Sequence, residues 1–108
     1  MREADLERLF ATEVRHLGGT SFKLAPTVTG IPDRLAVLPG GRLALVELKT
    51  KAGRLSPAQH LLHSRLRTLG VAVAVLYGED EVRRWCRERF ADFDTSDSAA
   101  TRKSASAS

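Results

Sequence analysis

Apolar positions along the chain change period several times, and each change marks an element. Leu6, Leu9, Phe10, Val14 and Leu17 recur at helical spacing and predict a helix over residues 3–17, which Gly18-Gly19 stops. Thr20 to Leu24 alternates polar and apolar, as a short strand does, and Ala25 to Pro32, with two prolines and a glycine, reads as a loop. Two apolar runs follow, Asp33 to Leu38 and Leu43 to Lys49, joined by Pro39-Gly-Gly-Arg42: a β-hairpin whose apolar density predicts a sheet covered on both faces. Ser56-Pro57-Ala58-Gln59 opens a second helix with a capping box, and Gly70 ends it. Ala58, Leu61, Leu62, Leu66 and Leu69 form its predicted buried stripe, with His60, His63, Arg65 and Arg67 turned to solvent or a partner. Val71 to Tyr77 reads as an interior strand, and Glu79 to Phe90 as a closing helix with Val82, Trp85, Cys86 and Phe90 inward. The order is α-β-β-β-α-β-α, an α/β domain with a central mixed sheet flanked by helices.

Three polar residues break the apolar hairpin. Asp33 stands at the entrance of the first strand, after a proline that favours extended backbone. Glu47 and Lys49, two residues apart on the second strand, emerge on one face. Placing a carboxylate and an ammonium on a buried strand costs desolvation, which a sequence tolerates mainly for pairing or function. Two carboxylates are hard oxygen ligands suited to Mg²⁺ or Mn²⁺, and a neighbouring lysine can orient water or offset charge on a phosphoryl group. That combination points to a divalent-metal phosphodiesterase; the competing reading is a solvated surface pair. Glu3 and Glu13 project within roughly 45° of the first helix's apolar face and Glu7 about 80° from it. Glu3 can serve the helix dipole in the first turn or point into the site.

Composition narrows the setting. At 108 residues there is sequence for one small core. The 17 Lys and Arg against 13 Asp and Glu favour a polyanionic partner. A lone cysteine, Cys86, excludes an internal disulfide and fits a reducing compartment. No apolar run approaches the roughly 20 residues of a membrane helix, and the charged MREADLERLF start is unlike a signal peptide, so the expected location is cytoplasmic. Residues 1–93 are the expected domain; from residue 94 the chain turns to Ser, Ala and Thr and is expected to be a disordered tail. Lys51 and Arg54, in the basic loop after Lys49, and Arg34 beside Asp33 are candidate nucleic-acid contacts.

Gly30-Ile-Pro-Asp33, Val46-Glu-Leu-Lys-Thr50, Leu55-Ser-Pro-Ala-Gln59 and Leu69-Gly70-Val71 together resemble the VRR-NUC family of the PD-(D/E)XK nuclease superfamily, over residues 3–78. The resemblance implies a restriction-endonuclease-like core and metal-dependent hydrolysis of nucleic-acid phosphodiesters. It implies Asp33 and Glu47 as metal ligands, Lys49 as the catalytic lysine, Glu3 as a further ligand with Glu7 the competing assignment, and Gln59 as a catalytic residue. Stand-alone members of this size resemble dimeric Holliday-junction resolvases, which implies branched DNA as substrate and a homodimer. A catalytically silent nucleic-acid-binding module of the same fold and an unrelated interaction domain are the other readings. Retention of Asp33, Glu47 and Lys49 together argues against the silent module, and the interaction domain would show no metal dependence.

Overall fold

The computed structural model describes residues 1–89. The chain runs α1 (Glu3–His16), β1 (Thr20–Lys23), β2 (Arg34–Leu38), a short 3₁₀ turn (Pro39–Gly41), β3 (Arg42–Lys49), α2 (Pro57–Thr68) and β4 (Val73–Tyr77). A third helix, α3, covers residues 78–89 of the described chain. The predicted order of elements is the observed one. Phe90, the last inward residue expected on α3, and the Ser/Ala-rich tail lie outside the described residues.

The four strands pair in the order β1-β2-β3-β4, with the first three antiparallel and β4 parallel to β3. The parallel step requires a crossover, and α2 supplies it. Glycine sets the end of that crossover helix. Gly70, with φ of +91°, lets its own N–H reach the Arg67 carbonyl while the Val71 N–H reaches that of Leu66, so α2 stops and the chain turns back.

Strand alternation sorts the sheet into two unlike faces. Even-numbered Ala36, Leu38, Ala44, Val46 and Leu48 join Leu6, Phe10 and Val14 of α1 and Val82, Trp85 and Cys86 of α3 in one core. There Trp85 packs against Phe10 with ring centroids 5.6 Å apart, and the surrounding hydrocarbon pushes the Cys86 thiol up to about 11. Glu13, expected to lean inward, instead joins α1 to α3 through Arg83 Nη1 at 2.8 Å. The other face carries Glu47 and is covered only in part: Phe22, opposite Leu35 in the register, is 54% exposed and Leu43 58%. The expectation of a sheet covered on both faces is thus met only in part, since among the described residues α2 alone lies on this side. β4 is likewise an edge strand of the described sheet, not an interior one.

α2 also turns a different face inward than its leucines suggest. Leu61 and Leu69 are 75% and 68% exposed, whereas His63 is wholly buried. Counting about 100° per residue, Gln59, Leu62, His63 and Leu66 share one arc, and Leu61 falls on the opposite side. The helix is rotated by the contacts its first turn makes with the loop before β2.

Candidate active site

Two strands and a helix converge on Glu47. The β2–β3 register pairs Arg34 with Val46, so one step beyond the ladder Asp33 stands opposite Glu47. Asp33 is fixed at both ends: its carbonyl accepts from the Leu24 N–H at 2.7 Å, and its Oδ2 accepts from the Leu48 N–H at 3.2 Å. The loop leading to it is pressed against α2. Gly30 has φ of +90°, and a Cβ there would stand 2.4 Å from the Ala58 carbonyl oxygen. Only glycine permits that approach, which ties Asp33 to the helix carrying Gln59 and His63.

Glu47 is 1% exposed. Its Oε2 lies 3.7 Å from Lys49 Nζ, an ion pair beyond hydrogen-bond length. Its Oε1 faces His63 Nε2 at 3.9 Å and has no hydrogen-bond partner; neither ring nitrogen of His63 has one. Burial pushes the Glu47 carboxyl up to about 8; a hydrogen bond that its protonated form donates to Asp33 and that residue's charge add to it, Lys49 opposes it, and Glu3 raises it further. Burial also lowers the His63 pKa, assisted by Arg67 and His60 and opposed by the Gly30 backbone and Asp33, so the ring is neutral at neutral pH. Two carboxyls this close hold a proton that a divalent cation would displace. The buried pair of hard-oxygen donors, Asp33 and Glu47, therefore fits Mg²⁺ or Mn²⁺.

The remaining expected site residues fall in different places. Glu3 is exposed at the start of α1 and reaches Glu47 only through its charge. Glu7 pairs with Lys23 at 3.3 Å. Among the described residues no three His, Cys, Asp or Glu side chains stand close enough to cage a metal, so Asp33 and Glu47 are not joined by a third preassembled ligand. Gln59 makes the expected capping box, its Oε1 accepting from the Ser56 N–H at 2.8 Å and its own N–H donating to Ser56 Oγ at 3.1 Å. With that oxygen engaged, its amide nitrogen is the group left for substrate. Lys51 and Arg54 are exposed on the loop after β3. Arg34 is not placed as a DNA contact: it is 9% exposed, on the core face of the sheet, and its Nη2 donates to Ser21 Oγ at 3.1 Å. Its even position in β2 turns it away from Asp33's side. His63 is a site residue that the apolar pattern of α2 does not pick out. One signal could have found it, since it follows Gln59 by four residues and an i, i+4 pair shares a helix face.

An α/β domain whose mixed sheet presents two carboxyls and a lysine beside a buried helix face is the class that this fold and site define. Comparison with known proteins agrees. The VRR-NUC domain model matches residues 9–80. A curated relative, named "Putative nuclease p44", from Acyrthosiphon pisum secondary endosymbiont phage 1, is 40% identical over 81 residues, covering 74% of this chain and 87% of the relative. A solved VRR_NUC domain structure superposes with a TM-score of 0.71 at 30% identity, covering 76% of this chain and 90% of that one. The chain belongs to the VRR-NUC nuclease family.

Proposed function

We propose that the protein is a Mg²⁺- or Mn²⁺-dependent endodeoxyribonuclease that hydrolyses phosphodiester bonds in branched DNA, Holliday junctions among them, and that it works as a homodimer. The observation that supports this reading most is the Glu47 carboxyl, buried against Asp33 with Lys49 alongside, a pair of acidic groups whose shared ionisation a divalent cation would stabilise. Asp33 and Glu47 would hold the cation, and Glu3, whose charge is felt at Glu47, is the candidate third ligand. When bound, the cation acidifies water and polarises the phosphoryl oxygen. Lys49, anchored beside Glu47, would offset the negative charge that builds on the phosphoryl group under attack. The Gln59 amide nitrogen would position water or substrate, and Lys51 and Arg54 would hold phosphates flanking the scissile bond.

The dimer follows from the chemistry of a four-way junction. Resolution needs two cuts, and the residues assembled around Glu47 make one site per chain. No described helix is long and apolar enough to cross a membrane.

A panel of end-labelled four-way, flap, nicked and linear duplex DNAs, with Mg²⁺, Mn²⁺ or EDTA, tests the reading. Paired cuts in the four-way junction with either metal and none in EDTA are expected. Tight binding without cleavage of any substrate would favour the silent nucleic-acid-binding module instead.

A further inference from the structure

Helix α2 lays an imidazole over the buried carboxylate, and the chemistry above makes no use of it. His63 is completely buried; neither ring nitrogen makes a hydrogen bond of full geometry, although the Gly30 backbone carbonyl lies near enough to favour a proton on the ring. Leaving such a group unpaired costs stability, and a leucine would fill the same helix face without that cost. The unpaired atoms face each other. His63 Nε2 lies 3.9 Å from Glu47 Oε1, which is also buried and also unpartnered. The gap is about one ångström beyond bonding distance.

Gly30 sets how α2 lies over the site. Its backbone meets the Ala58 carbonyl, fixing the first turn of α2 against the loop that carries Asp33. His63, on the same arc of the helix, is thereby held over β3, while Lys49 sits against the other oxygen of Glu47. The two oxygens of one carboxylate are thus given different neighbours.

We propose that His63 is a positioning residue for Glu47: its Nε2–H donates to Oε1 of the ionised carboxylate, leaving Oε2, on the Lys49 side, as the oxygen presented to the divalent cation. A metal-ligating carboxylate whose second oxygen is held in this way is restricted to one orientation, and loss of such an outer partner typically weakens metal binding tenfold to a hundredfold. The assignment rests on the metal-dependent reading of the site.

The test compares His63→Leu, which fills the space without a donor, with His63→Gln, which restores an N–H. Mn²⁺ binding is measured by calorimetry without DNA, alongside thermal unfolding in EDTA and steady-state cleavage. His63→Leu should unfold no earlier than the parent in EDTA, bind Mn²⁺ about tenfold to a hundredfold more weakly, and lose kcat with little change in KM for DNA. His63→Gln should recover Mn²⁺ affinity to within a few-fold of the parent. Should His63→Leu not fold, His63→Met, which adapts to irregular space, takes its place. Parental Mn²⁺ affinity in the apolar variant, or equal weakness in both variants, would overturn the assignment. A parent that binds no Mn²⁺ would overturn the metal reading and this assignment with it; a parent that binds, with His63→Leu binding equally well, overturns this assignment alone.

Discussion

Glu47 carries the largest electrostatic conflict among the described residues, and its consequences are measurable without substrate. Its carboxyl titrates near 8 in the fold against about 4.5 in the unfolded chain, chiefly because it is buried and next to Asp33. The folded state therefore binds more protons than the unfolded one between those values, and stability must fall as pH rises through that window. Thermal unfolding of the metal-free protein in EDTA should show a melting temperature that declines between about pH 5 and pH 8. Glu47→Gln, which stays neutral, should flatten the decline. Much of this site was legible in the sequence because charged residues stand out on an apolar hairpin: Asp33, Glu47 and Lys49 lie where period-two alternation puts them. Arg34 and His63 depart from expectation for a shared reason. Charged residues and histidines are expected at the surface, whereas burial here follows from strand parity for Arg34 and from helix rotation for His63.

At the scale of elements, the junction of the Gly30 loop with α2 decides whether the site assembles. Gly30→Ala places a Cβ against the Ala58 carbonyl in a left-handed conformation, and should cost at least about 2 kcal/mol in denaturant unfolding. Cleavage should fall further than stability alone requires, since Asp33 and α2 move together. Ser56→Ala removes the hydroxyl that accepts from the Gln59 N–H and should cost about 1 kcal/mol, read as a lower denaturation midpoint with unchanged slope. The capping box was readable from Ser56-Pro57-Ala58-Gln59 because its partners lie within one turn. The face that α2 turns inward was not, because its first turn meets residue 30 in a contact that no local pattern records, and Leu61 draws the predicted stripe to the wrong side.

For the whole molecule, element order and the β2–β3 hairpin could be read directly, since each rests on short-range signals. The edge position of β4 and the half-open second face could not. An apolar strand looks alike at the centre of a sheet and at an edge that other apolar surface adjoins. The proposed dimer predicts a solution mass twice the 11.8 kDa of one chain in light scattering at micromolar concentration. A mass of one chain, with single unpaired cuts in a four-way junction, would contradict that part of the account. The central claim is that Asp33, Glu47 and Lys49 perform chemistry rather than hold the fold or the DNA. The most direct measurement places the parent and Lys49→Ala side by side on labelled branched DNA, with cleavage followed in Mn²⁺ and binding followed by fluorescence anisotropy in Ca²⁺. Cleavage by Lys49→Ala should drop by at least about a hundredfold with DNA affinity within about threefold of the parent. Cleavage at the parental rate by Lys49→Ala would contradict it.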